Sequence, residues 1–172
     1  MIFIGIDPGL GGAVGVIDDT AEFPENNREQ VFDTPTVIVE GEKSKHKYLV
    51  PAMVRILLPY AKRTDVLAVL EHVHSMPKQG VASSFCFGEG KGMWEGILAS
   101  LEISMELVSP QRWKKAIMAD QGKEKSAARF KAMQLFPSMA EQLKLVKHDG
   151  RAEALLMAEY GRRLRKENDN VQ

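Results

Sequence analysis

The chain has 172 residues, 44% hydrophobic and 27% charged, the size and balance of one globular domain with a buried core rather than of a long disordered protein. A single cysteine, Cys86, excludes an internal disulfide and a cysteine-built zinc site. Basic and acidic residues number 23 each, yet residues 1–110 hold 9 basic and 15 acidic side chains while residues 111–172 hold 14 and 8. The second half therefore offers a surface to an anionic partner that the zero net charge hides.

Ile2 to Asp7 and Gly12 to Asp18 are short β-type runs joined by Pro8-Gly9-Leu10-Gly11, which predicts a hairpin. Val31 to Val39 is β-rich but carries Pro35, the mark of an edge strand or of two short pieces. Glu40 to Lys47 is charged and is predicted to be loop. Tyr48 to Lys62 has helical periodicity through Leu49, Met53, Ile56, Leu57 and Tyr60, with Pro59 distorting its last turn. Val66 to Glu71 is a continuous apolar run ending in a carboxylate, the pattern of a strand buried on both faces. Val81 to Leu101 is predicted as a helix despite four glycines, which permit close approach of another backbone or a ligand. Ser104 to Val108 is a further strand. Ser109 is an N-cap and Pro110 an N1 residue for a helix over Gln111 to Met118. Lys123 to Phe136 is the next helix, stopped by Pro137, and Asp149 to Arg165 the last. The pattern is that of an α/β domain over residues 1–166, a mixed sheet flanked by helices, with a polar tail over residues 167–172. No apolar run is long enough to span a membrane, and the opening lacks the basic stretch of a signal peptide. The expected location is the cytoplasm, with no membrane partner.

Three acids stand out by position. Asp7 ends the first strand, Glu71 ends the central one, and Asp149 opens the last helix with Glu153 one turn on. Each alone has a plainer reading, as a turn residue or a helix N-terminal acid; an unpaired carboxylate at the end of a buried strand is costly and harder to dismiss. If the two strands are parallel neighbours, Asp7 and Glu71 emerge side by side at the edge where α/β sheets place their sites. Converging carboxylates without cysteines suit Mg²⁺, or Mn²⁺ in its place, and two such ions can clamp an in-line displacement at phosphorus. His148, beside Asp149, is placed to assist proton transfer. The glycines fit neither a dinucleotide fingerprint nor a phosphate loop, so no nucleotide cofactor is expected. Two basic stretches, Lys114, Lys115, Lys123, Lys125, Arg129 and Lys131, then Arg151, Arg162, Arg163, Arg165 and Lys166, are candidates for phosphate contacts. Met76, Phe85, Phe87 and Met93 could wedge into a base stack or belong to the core.

Five segments in order, Ile4-Gly5-Ile6-Asp7-Pro8-Gly9, Leu70-Glu71-His72-Val73, Ser109-Pro110-Gln111-Arg112-Trp113-Lys114, Lys123-Glu124-Lys125-Ser126 and His148-Asp149-Gly150-Arg151-Ala152-Glu153-Ala154-Leu155, span nearly the whole chain. Together they resemble the RuvC-type Holliday-junction resolvases, in particular their shorter phage-type relatives. The resemblance implies a ribonuclease H-like fold with a five-stranded mixed sheet. It also implies a homodimer in a bacterial or phage-infected cell that nicks opposed strands of a four-way DNA junction with two Mg²⁺ ions per site. By motif matching it gives Asp7, Glu71 and Asp149 the metal-binding roles, places Glu153 where the family has a second C-terminal aspartate, and sets Lys125, or Lys123, near a lysine that contacts DNA. The spacing of four and the Glu in place of Asp depart from family members, so the order of Asp149 and Glu153 as ligands stays open. The alternatives are a less selective flap or fork nuclease, an actin-like phosphotransferase, for which the chain is short, and a catalytically silent DNA-binding protein.

Overall fold

Ile2, Ile4 and Ile6 alternate with Phe3 and Gly5 along the first strand, and both sets are buried. A strand covered on both faces belongs inside a sheet between two layers. In the computed structural model, which describes residues 1–20, 28–40, 45–72, 80–122, 124 and 126–169, β1 (Ile2–Ile6) lies at the centre. It pairs antiparallel with β2 (Ala13–Asp18), which pairs antiparallel with the edge strand β3 (Glu29–Asp33). On its other side it runs parallel to β6 (Val66–Glu71), and β6 runs parallel to β7 (Met105–Val108). The mixed sheet therefore has the order β3-β2-β1-β6-β7.

One face is covered by α1 (Val50–Leu57) and α2 (Val81–Ser100): Ile2, Ile4 and Ile6 pack there with Met53, Leu57, Trp94 and Leu98. The other is covered by α3 (Pro110–Ile117), α4 (Ala127–Leu135) and α6 (Asp149–Asp169), where Phe3 and Val69 meet Trp113, Ala132, Leu155 and Ala158. Each large aliphatic side chain fully buried in these layers contributes roughly 1.5–3 kcal/mol. Ser109 caps α3 as its sequence predicts, its side chain accepting from the Arg112 amide. No helix among the described residues is long and apolar enough to cross a membrane.

Four expectations change. Lys45–Tyr48, read as loop and helix start, is strand β5, paired antiparallel with β4 (Thr36–Val39) in a separate two-stranded sheet. Its first three residues are exposed, so it carries no apolar alternation to betray it; pairing with β4 makes it a strand. The helix that follows starts at Val50 and passes into a 3₁₀ turn, Leu58–Tyr60, at Pro59. Between α4 and α6 the chain forms a short helix α5 (Ala140–Leu143) and 3₁₀ turns, and α6 runs three residues into the segment read as tail.

Candidate active site

β1 and β6 run in register, Ile6 opposite Leu70, so Asp7, the residue after β1, and Glu71, the last residue of β6, stand side by side at the C-terminal edge of the sheet. The last helix reaches the same edge because of two glycines. Gly5 and Gly15 are cross-strand partners, and a Cβ on either would run into the backbone of Ala154, Leu155 or Ala158. Helix α6 thus rests on bare backbone, and Glu153, just before Ala154, is carried to the acids of the sheet.

The charges acting on Asp7 include Glu71, Glu153 and Lys114. Asp7 keeps a partly exposed edge, but protein surrounds most of its carboxyl. Burial pushes it up to about 7, opposed by the Gly9 amide that donates to Oδ1 at 3.1 Å and reinforced by the two glutamates. Glu71 is 9% exposed. Burial raises it too, against a hydrogen bond from the Trp113 indole Nε1 to its Oε1 at 2.9 Å, and Glu153 adds like charge. Lys114, the next residue on α3, places Nζ 2.8 Å from Glu153 Oε1. Neighbouring residues of one short helix therefore hold an acid from β6 and an acid from α6. Trp113 lies in a segment singled out by sequence, but the hydrogen bond of its buried indole had no signal there.

Asp149 stands apart in this arrangement. Its side chain is 45% exposed and bound by Arg129, Nε to Oδ1 at 2.6 Å. The acids are within electrostatic reach of one another rather than closed around one point: among the described residues no three His, Cys, Asp or Glu side chains are grouped to hold a metal ion. His148 is buried, its Nδ1 accepting from the Leu145 amide at 3.3 Å, and its charged neighbours are Asp33, Arg151, Lys147 and Arg129. The ring closes a turn, and the structure does not bring it to Asp7.

Of the expected phosphate contacts, Lys115 is exposed. Lys114 and Arg129 are engaged by Glu153 and Asp149, and Arg151 is bound to Asp33 through Nε and Nη2. Lys131 is buried against Asp120, and Arg162 and Arg163 close on the buried Glu159. Lys123, Lys125 and Met76 lie outside the described residues. Phe85, on the first turns of α2, is 73% exposed, and Phe87, two residues on, is 39% exposed. Tyr48 escaped the sequence reading: its hydroxyl donates to the carbonyls of Pro8 (3.0 Å) and Cys86 (3.2 Å), tying the turn after Asp7 to α2. Gly90 makes that contact possible, since a Cβ there would strike Pro8 O and the Tyr48 hydroxyl.

No protein-family profile matches the chain, and no curated protein matches it in sequence. Solved structures do. The RuvC structure of Thermus thermophilus aligns over 92% of this chain and 90% of its own, with a TM-score of 0.50 and 16% identity. The T. thermophilus RuvC in complex with Holliday junction substrate aligns over 92% of each chain, with a TM-score of 0.48 and 13% identity. At such identity the likeness to the first is one of fold, and with the strand order β3-β2-β1-β6-β7 it makes this a ribonuclease H-like α/β domain.

Proposed function

We propose that the chain is a metal-dependent, structure-selective endodeoxyribonuclease of the phage-type RuvC kind, which resolves four-way DNA junctions by paired nicks from a homodimer. The observation that supports this most is that Asp7, Glu71 and Glu153 lie within electrostatic reach of one another at the C-terminal edge of two parallel strands, with Asp7 pushed up to about 7 and the Lys114 ammonium as countercharge.

Carboxylates buried together repel until a proton or a cation neutralises them, and oxygen-only donors suit Mg²⁺ or Mn²⁺. The donor set fits such ions. Asp7 and Glu71 would hold them from the sheet, and Glu153 and Asp149 from α6, in exchange for their present partners Lys114 and Arg129. When bound, a pair of divalent ions supplies Lewis acidity and charge neutralisation at the scissile phosphate. The chain's own residues do the rest. The Trp113 indole holds one oxygen of Glu71 and the Gly9 amide one oxygen of Asp7, which fixes both carboxyls at the sheet edge. Lys115, exposed on α3, and the basic residues Lys123 and Lys125 of the sequence bind backbone phosphates, which gives affinity without sequence choice, and Phe85 presses on bases at the branch. In the hydrolysis the water oxygen bonds to phosphorus, the P–O3′ bond breaks and the 3′ oxygen gains a proton, leaving a 5′-phosphate and a 3′-hydroxyl.

The test is a labelled four-way junction, a flap and a linear duplex, each incubated with protein with and without Mg²⁺. Symmetric, Mg²⁺-dependent nicks in the junction, lost in Asp7→Asn while junction binding persists, are expected. Equal cutting of the flap makes the protein a less selective branched-DNA nuclease. No cutting of any DNA with Mg²⁺ or Mn²⁺ overturns the proposal.

A further inference from the structure

Strands β4 and β5 form a two-stranded ribbon apart from the main sheet. Its root is fastened to the turn that follows Asp7: the Thr34 amide donates to the Gly12 carbonyl at 2.9 Å and the Tyr48 hydroxyl to the Pro8 carbonyl at 3.0 Å. Beyond that root Val37, Ile38 and Val39 of one strand and Lys45, His46 and Lys47 of the other are all exposed. Three consecutive apolar side chains, 42%, 58% and 42% exposed, call for a partner that covers them. Val37 lies opposite Lys47 and Val39 opposite Lys45, so these four share one face, and Ile38 and His46 share the other. Neither lysine has an ion pair or hydrogen bond among the described residues, whereas Lys114, Arg129 and Arg151 are each held by an acid. Of the acids that flank the ribbon, Asp33 is bound by Arg151, and Glu40 follows the last pair.

We propose that this ribbon lies in the major groove of a duplex DNA arm beside the site, with Lys45 and Lys47 on backbone phosphates and the apolar residues against base edges. The inference rests on the nuclease reading and deepens it. Charge selects the partner: two cations without acids call for an anion, and the valines between them call for one that also has apolar surface. The major groove supplies both, phosphates along its walls and thymine methyls on its floor. Width selects the groove. Two strands about 4.8 Å apart, with side chains on both faces, fit a groove about 12 Å wide and not the minor groove of about 6 Å. The root decides which stretch of DNA is held, because a duplex whose scissile phosphate lies at Asp7 runs past the turn to which Thr34 and Tyr48 are bonded. Four residue pairs extend about 10 Å, or about three base pairs. The ribbon therefore grips paired DNA next to the cut and sets its distance from the branch, without hydrogen bonds from the valines or Ile38 to choose a sequence.

The test combines a salt titration with a chemical footprint, both in EDTA so that no cutting occurs. A four-way junction is bound by wild type, by the double variant Lys45→Ala with Lys47→Ala, and by the double variant with arginine at both positions. Dimethyl sulfate then methylates guanine N7, which opens onto the major groove. The wild type should protect guanines over about three base pairs of an arm, and the alanine variant should lose those protections alone. Its slope of log affinity against log salt should fall by about 1.8, so that between about 50 and 200 mM salt it loses about 12-fold less affinity than the wild type. The arginine variant, which keeps both charges, should follow the wild type. An alanine variant with unchanged slope and footprint overturns the proposal. A slope that falls while every protection stays puts the lysines on phosphates outside the groove and overturns it too. A change of oligomeric state without DNA, in place of a lost footprint, would make the ribbon a contact between copies and overturn it as well. Lost protections without nicking by the wild type in Mg²⁺ keep the ribbon and remove the nuclease reading; nicking with no effect of the ribbon variants does the reverse.

Discussion

Replacing Asp7 by asparagine keeps the shape of the side chain and an oxygen for the Gly9 amide, and removes a charge that the fold disfavours. With its carboxyl raised from 3.8 to about 7, the wild-type residue binds a proton more tightly folded than unfolded. Its ionisation therefore lowers stability as pH rises from about 4 through about 7. The linkage reaches at most about 4 kcal/mol at pH 8 and about 1.7 kcal/mol at pH 5, less whatever hydration the partly exposed edge recovers. In the absence of divalent ions, Asp7→Asn should melt above the wild type at pH 8, and the gap should narrow towards pH 5. The difference of about 2.6 kcal/mol corresponds to about 5–10 °C for a chain of this size. Thermal denaturation of both proteins in EDTA at pH 5, 6, 7 and 8 measures this directly. A gap that stays constant with pH, or a variant less stable than the wild type at pH 8, would show that Asp7 is not held as a strained carboxylate.

Two further substitutions separate site from scaffold. Trp113→Phe keeps most of the packing but removes the donor to Glu71; a hydrogen bond to a charged group is worth about 1.5–3 kcal/mol. The unfolding free energy from urea titration should fall by that amount at pH 8 and by much less at pH 4, where Glu71, raised by burial, is mostly protonated, and an equal loss at both values would make the indole a packing group only. Lys115→Ala should lower the slope of junction affinity against salt by about 0.9, as for one lost phosphate contact. Lys131→Ala, which removes a buried ammonium paired with Asp120, should lower stability and leave that slope unchanged.

The sheet was legible because its strands are written in the two ways that sequence expresses clearly: the doubly buried runs at Ile2–Ile6 and Val66–Leu70, and the glycine-rich turn between β1 and β2. Asp7 and Glu71 followed, since both sit at the end of such a run. Helix α6 was visible too, but not which of its acids faces the sheet. Asp149 and Glu153 are one turn apart on one side of the helix, and the choice depends on Gly5 and Gly15 setting its height over the hairpin and on Arg129 and Lys114 taking one acid each. Those are tertiary contacts between residues far apart in sequence. The partners of the basic stretches were hidden for a related reason. Composition counts charges but does not reveal that Arg129, Lys131, Arg151, Arg162 and Arg163 are turned onto carboxylates of the same chain. β5 was missed because Lys45, His46 and Lys47 are strand residues only by virtue of their partners on β4.

The account depends on carboxylates from β1, β6 and α6 sharing divalent cations. Crystals soaked in Mn²⁺ and measured for anomalous scattering test it most directly. Strong peaks within coordination distance of Asp7, Glu71 and at least one of Glu153 and Asp149, absent in Asp7→Asn crystals, are predicted. A site that stays free of manganese at millimolar concentration, or peaks that ignore Asp7, would contradict it.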